Sequence, residues 1–179
     1  LLSDLRESGS IEQDADIVIM LSRMIQEDNT ETTAGNIVEC IIAKRQDKYG
    51  IIGNGGNLLT ELKYEKISYQ KGTDGIPSLF FVLKDKWGVV DSLGTERIPC
   101  LYDKIESRGK YTNNDSTFIF IIEKDKLKGM CDFNHVTLIE VKYDGILLFY
   151  NSYGFLFKNG KWGIFNRDLQ IVSECVYDN

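Results

Sequence analysis

Phe155-Leu156-Phe157-Lys158-Asn159-Gly160-Lys161-Trp162-Gly163-Ile164-Phe165 is the stretch that decides how most of this chain folds. Two short runs rich in aromatic and β-branched residues flank Asn-Gly, and that dipeptide tolerates the two positive φ angles of a tight hairpin. The stretch has relatives within the chain. Lys86-Trp87-Gly88-Val89-Val90-Asp91 and Lys128-Gly129-Met130-Cys131-Asp132 echo its second half, and Phe80-Phe81-Val82-Leu83-Lys84 matches its first. In each case a Tyr-Asp pair follows the glycine by 14 residues: Tyr102-Asp103, Tyr143-Asp144 and Tyr177-Asp178. Tyr64-Glu65-Lys66-Ile67 has the form of the same tail closing an earlier unit. Units of varying length with a fixed internal spacing are repeats. Each reads as a hairpin with a third short strand before Tyr-Asp, and such units must stack to bury their apolar faces. Trp87 and Trp162 read as packing between units, with Lys84, Lys86, Lys158 and Lys161 as solvated charge at the hairpin tips.

Composition separates this region from what precedes it. Residues 1–65 hold 12 acids and 6 bases, whereas the remainder holds 15 of each. Of the 20 aromatic residues, only Tyr49 and Tyr64 lie in the first part. The division gives two regions, residues 1–63 and 64–179, the second with about three units. With a formal charge of −6, the chain is not a general nucleic-acid coat. It carries no run of about 20 apolar residues that would span a membrane, and the expected location is cytoplasmic. Cys40, Cys100, Cys131 and Cys175 are widely spaced, as reduced thiols would be, and one histidine (His135) cannot build a metal cluster. No metal site is expected. Leu1 in place of a methionine suggests a fragment or a processed product.

In the first region Ser10-Ile11-Glu12-Gln13 fits a capping box opening a one-turn helix. Residues 17–21 and 37–43 are continuous apolar runs of strand length, as in a parallel sheet buried on both faces. Lys44 to Gly50 reads as a charged turn, and Ile51-Ile52 as the start of the returning strand. Gly53-Asn54-Gly55-Gly56-Asn57 is turn chemistry and no phosphate loop, because no Gly-Lys-Ser/Thr follows it. Isolated from the sheet it belongs to, this region is expected to be poorly ordered or prone to aggregate.

Two resemblances add to these readings. Residues 3–23, with Ser-Asp-Leu-Arg-Glu-Ser-Gly followed by Ile-Glu-Gln-Asp-Ala-Asp, resemble the last signature of hexameric replicative DNA helicases of the DnaB family. Residues 38–50 resemble that family's closing strand and basic hairpin. The repeats resemble WG-repeat proteins, which are usually taken as binding surfaces, although Lys128 stands where tryptophan is expected.

The resemblance implies a fold: an α/β fragment of a RecA-like domain, followed by a mainly-β repeat region of short hairpin or three-stranded units. It also implies roles. Arg6, Glu7 and Gly9 fall in the loop that contacts single-stranded DNA, where arginine neutralises a phosphate and glycine allows close approach. Lys44 and Arg45 fall where the family's hairpin reaches a neighbour's nucleotide, but in the order Lys-Arg-Gln rather than Lys-Gln-Arg. Full-length parents of this family are homo-hexamers using ATP and Mg2+. Their phosphate loop and catalytic acids lie upstream of Leu1, so no catalytic residue falls in this chain and it would not hydrolyse ATP alone. The repeats would bind an unidentified protein. The other reading is a non-catalytic WG-repeat interaction module carrying a helicase remnant.

Overall fold

The computed structural model describes residues 18–20, 40–45, 47–53, 55–72, 78–110, 118–149 and 153–178. Every regular element among them is a strand. The first three are β1 (Val18–Met20), β2 (Cys40–Arg45) and β3 (Lys48–Gly53), forming one sheet in that order. Both pairings are antiparallel. The expectation of an α/β, RecA-like fragment with a parallel sheet is therefore overturned: the described residues contain no helix. The reason is local. Parallel neighbours need a crossover of a dozen or more residues, whereas β2 and β3 are joined by residues 46–47, with Asp47 at φ 62°. The apolar runs did mark strands, but they are laid out as an antiparallel meander. The capping box at Ser10 falls outside the described residues.

Three further sheets follow, each four-stranded and each an antiparallel meander in chain order. The first unit comprises β4 (Lys66–Gln70), β5 (Leu79–Lys84), β6 (Lys86–Asp91) and β7 (Glu96–Tyr102). The second comprises β8 (Lys104–Lys110), β9 (Phe118–Lys124), β10 (Leu127–Asp132) and β11 (Thr137–Tyr143). The third comprises β12 (Gly145–Leu148), β13 (Gly154–Lys158), β14 (Lys161–Phe165) and β15 (Ile171–Tyr177). A unit thus has one strand more than a three-stranded reading allows. Lys66-Ile67 and Lys104-Ile105 are not the end of a tail but the start of the next unit's first strand.

Alternation of side chains then builds the core. In β5, Phe80 and Val82 face back onto Ile51 and Tyr64, whereas Leu79 lies on the opposite face with Val89 and Ile98. That second face meets Phe118, Phe120, Ile122 and Cys131 of the second unit. The second unit's other face, with Ile119, Ile121, Met130, Ile139 and Tyr143, meets Ile146, Leu156, Phe165 and Leu169 of the third. The sheets are stacked, and residues 118–122 of β9 are all buried because each face has a neighbour.

The 14-residue spacing now has a physical account. Trp87 pairs with Tyr102 and Val89 with Ile98, so two steps on β6 face four on β7. The same offset separates Lys128↔Tyr143 from Met130↔Ile139, and Trp162↔Tyr177 from Ile164↔Ser173. Each unit therefore carries a bulge at its glycine, on the facing strand. A Cβ on Gly88 would lie 2.7 Å from the Ile98 carbonyl oxygen, and one on Gly129 the same distance from that of Ile139. Close backbone approach is what the glycine supplies.

The turn after the glycine strand also repeats. Asp91, Asp132 and Asn166 each accept, through Oδ1, two backbone N–H bonds from the residues two and four places on. The residue at the third place has positive φ in all three: Gly94 at 83°, His135 at 62° and Leu169 at 62°.

Two of those turns meet the tyrosine of the unit before. The Tyr102 hydroxyl lies 2.6 Å from His135 Nε2. At the next junction Leu169 occupies the equivalent turn position and shares a buried cluster with Tyr143, whose buried hydroxyl has no hydrogen-bond partner among the described residues. Burial pushes this phenol's pKa up, against the nearby Lys142 ammonium. Tyr143→Phe should therefore stabilise the protein, or leave it unchanged, whereas Tyr102→Phe should cost about 1 kcal/mol. Urea midpoints of the two variants check this, and a loss at Tyr143 equal to that at Tyr102 would refute it.

Candidate functional site

Two features of the fold bear on function: the basic hairpin β2–β3 and its attachment to the repeats. Lys44 pairs with Val18 on one side and Tyr49 on the other, and Arg45 pairs with Lys48 beside the turn. The two candidate bases thus occupy consecutive register positions at the closed end of the hairpin. Arg6, Glu7 and Gly9 lie outside the described residues. After β3 the chain turns tightly, with Gly53 N–H donating to the Asn57 carbonyl and Gly56 at φ 76°. No group of three or more His, Cys, Asp or Glu among the described residues could hold a metal ion. Among the same residues, no helix is long and apolar enough to cross a membrane.

The hairpin does not hang free. The segment after it folds back along β3. Leu59 N–H donates to the Ile51 carbonyl at 2.8 Å, and the Ile51 N–H donates to Thr60 Oγ1 at 3.0 Å. Tyr49 and Tyr64 exchange two backbone bonds, of 2.7 and 3.1 Å. Ile51 and Tyr64 then share one buried cluster with Phe80, Val82 and Val90. Lys48 and Glu65 approach to 3.6 Å across this junction. β3 and the first repeat unit are thus joined by packed side chains.

Glu65, Asp103 and Asp144 are the connectors, a role the sequence reading missed. Each donates its backbone N–H into the next unit's hairpin, to Leu83, Glu123 and Phe157 respectively. Asp103 Oδ2 also accepts from Asp125 N–H, and Asp144 Oδ2 from Asn159 N–H, at 2.7 and 2.8 Å. These bonds cap two-residue hairpins whose loop residues all have positive φ: Asp125 and Lys126, Asn159 and Gly160. The Lys86 ammonium, followed by that N–H bond, holds the Asp103 carboxyl below the usual carboxylate range. The signal was present, since an aspartate recurs directly after each of Tyr102, Tyr143 and Tyr177.

The tryptophans play a smaller part than their repetition suggested. Neither belongs to a buried inter-unit cluster. Trp87 is half-buried with the Lys66 ammonium 5.9 Å from its ring centroid, and Trp162 lies against Phe155 and Phe157. Lys128 replaces tryptophan in the second unit with the same register and bulge, and it approaches Glu123 at 4.0 Å. Lys86, Lys161 and their neighbours do stand at hairpin ends, with Lys86 on Asp103 and Lys161 3.4 Å from Asp178. Cys100, Cys131 and Cys175 are free thiols.

The junctions carry two strongly shifted acids. Burial pushes both the Tyr64 phenol and the Cys131 thiol up to about 12. Both are neutral in the folded state and ionise more readily once unfolded. Their stabilisation is complete below the unfolded values, near pH 9 for the thiol and 10 for the phenol, and is lost as pH rises toward 12. Stability should fall above pH 9 by about 1.4 kcal/mol per pH unit for each ionising group. Urea titrations from pH 8 to 11 check this, and Cys131→Ala should flatten the pH 9 to 10 part of the curve.

Residues 1–60 match the family model of the DnaB-like helicase C terminal domain. Residues 87–108 and 134–162 match the WG containing repeat. Among curated proteins, the Replicative DNA helicase DnaC of Bacillus subtilis (strain 168) is 57% identical over 47 residues, which are 26% of this chain and 10% of that protein. A Probable replicative DNA helicase of Trieres chinensis is 41% identical over 87 residues, 48% of this chain and 16% of that protein. The Replicative DNA helicase DnaB of Geobacillus stearothermophilus is 53% identical over 49 residues, 26% and 10% respectively. The matched segments thus span at most 16% of these relatives' length. The chain is similar to the DnaB-like helicase C terminal domain over its first 60 residues and to WG containing repeats over the units that follow.

Proposed function

We propose that this chain is the C-terminal part of an ATP-dependent replicative DNA helicase with an appended repeat region that binds a protein partner. The similarity of residues 1–60 to the helicase domain carries the reading. In it, residues 1–63 are the helicase segment and residues 64–179 the repeat region, with Ile51 and Tyr64 packed into the first unit. Arg6, Glu7 and Gly9 contact the backbone of single-stranded DNA, with Arg6 neutralising a phosphate. Lys44 and Arg45, at the closed end of the β2–β3 hairpin, face the nucleotide of a neighbouring subunit in a hexamer, where cations stabilise charge on the transferring phosphate. ATP and Mg2+ serve the parent at residues upstream of Leu1. This part of the protein contributes DNA contact and interface charge. The parent works in the cytoplasm.

An antibody raised against residues 80–170 tests the premise. It should detect a native species well above the 20.4 kDa of this chain. In that species Arg6→Ala should lower strand separation about tenfold, the loss of one charge-assisted contact per subunit. A native band at 20.4 kDa would defeat the reading in favour of a non-catalytic repeat module.

A further inference from the structure

The basic hairpin β2–β3 has its outer edge closed by the segment that leads into the repeats. The N–H groups of Tyr49, Ile51 and Gly53 point away from β2, and all three find acceptors between residues 57 and 64. These are the Tyr64 carbonyl at 2.7 Å, Thr60 Oγ1 at 3.0 Å and the Asn57 carbonyl at 3.0 Å. By the alternation of an antiparallel ladder, Ala43 and Arg45 then bond to Gly50 and Lys48 on the other side of β3. Two of the three outer acceptors are carbonyls. At Ile51, whose own carbonyl accepts from Leu59 and Thr60 at 2.8 and 3.3 Å, the acceptor is a hydroxyl. Thr60 is 9% exposed, and a buried N–H that loses its acceptor is costly. A Cβ on Gly50 would lie 3.0 Å from the Thr60 carbonyl oxygen, so the two backbones run in close contact. One face of β3 is covered as well: Ile51 and Tyr64 are buried in one cluster with Phe80, Val82 and Val90 of the first unit. Glu65 ties the segment to that unit, its N–H donating to the Leu83 carbonyl at 2.7 Å and its carboxylate lying 3.6 Å from Lys48.

We infer that the repeat region is a brace for this hairpin, with Thr60 and Tyr64 as positioning residues for Lys44 and Arg45. Both act through β3, whose pairing fixes the register in which β2 carries the two bases. Two-stranded hairpins are marginal in water, and β1 adds only three residues on the far side of β2. Closing the outer edge of β3 and burying Ile51 against the first unit supply what such a hairpin lacks. A charge that must meet a transferring phosphate is useful only when it is held in place, since loose geometry forfeits its effect. The inference deepens the proposed function and rests on it in one point, that Lys44 and Arg45 serve a neighbour's nucleotide.

Thr60→Val keeps the shape of the side chain and removes the acceptor, whereas Thr60→Ser keeps the acceptor. Amide hydrogen exchange of the full chain reads the effect. In Thr60→Val the Ala43 and Arg45 amides of β2 should exchange about tenfold faster, while those of β13 and β14 keep their rates. Thr60→Ser should bring Ala43 and Arg45 back to within about twofold of the original. Val82→Ala, on the repeat side of the shared cluster, should act in the same direction as Thr60→Val. Leu156→Ala, equally buried but in the third unit, should not. Unchanged rates at Ala43 and Arg45 in Thr60→Val, no rescue by Thr60→Ser, or an equal acceleration in β13 would each overturn the inference. In the longer native species, Thr60→Val should lower kcat for ATP hydrolysis severalfold with KM unchanged, and Thr60→Ser should restore it. Faster exchange with kcat unchanged would leave the brace standing and defeat the placement of Lys44 and Arg45 at a neighbour's nucleotide.

Discussion

Gly129→Ala should destabilise the protein by about 3 kcal/mol, although it adds one methyl group to a strand. The new Cβ would sit 2.7 Å from the Ile139 carbonyl oxygen and 2.8 Å from the Val141 backbone nitrogen. Both are backbone atoms of the bulge on β11 and cannot rotate aside. Relief would require the bulge to move, and with it Tyr143, which is wedged in the core shared with the third unit. The variant's urea midpoint should drop with the m-value preserved. The equivalent changes at Gly88 and Gly163 should follow, with Gly163 the mildest. It sits in the third unit, with contacts of 2.8 Å and 3.0 Å and one open face. A loss below about 1 kcal/mol at Gly129 would show that the bulge is compliant and that the glycine has another purpose.

Asp91→Ala is the second large effect, expected near about 3 kcal/mol. The carboxylate is 3% exposed. It accepts from the N–H groups of Leu93 and Thr95, both at 2.9 Å, and from Arg97 Nε at 2.8 Å. Truncation leaves two turn N–H groups and a partly buried guanidinium without their acceptor, and unpaired groups of this kind are the costly case. Arg97 also lies 4.6 Å from the Phe133 ring centroid and 3.3 Å from Asn134 Oδ1, both in the second unit. The damage therefore spreads across a junction. Asp91→Asn separates the contributions. Asn166 shows that an amide oxygen can hold the same turn. The Asp91→Asn variant should keep both backbone bonds and lose only the ion pair, at about 1 kcal/mol. Urea midpoints of the two variants decide it, and equal losses would assign the whole effect to charge.

How much of this was readable from residues alone depends on how local each cause is. The Asn159-Gly160 hairpin was legible because its turn chemistry is confined to two residues. The repeat was legible because a bulge and a turn fix 14 residues between glycine and tyrosine in every unit. The fourth strand was not. In sequence Lys104-Ile105 reads as part of the preceding Tyr-Asp tail, and only hydrogen bonding to β9 reveals where a unit begins. The tryptophans misled for a related reason. Recurrence marks a position as structurally equivalent but does not say which neighbour it touches. The helicase-like segment was misjudged because its fold was inferred from resemblance, while two residues between β2 and β3 already dictated an antiparallel pairing. Lys44 and Arg45 were singled out by likeness alone, and their register on β2 is a structural fact that no spacing argument supplied.

The order of strands within each sheet has one more consequence. Every hydrogen-bonded pair in the repeat region joins strands adjacent in the chain. Loop closure is therefore short at every step, and no pairing waits for a distant segment to arrive. An all-β protein built this way should fold faster than sandwiches of similar size, whose sheets are woven from strands far apart in sequence. Each sheet can zip as it leaves the ribosome and then serve as the template against which the next one condenses.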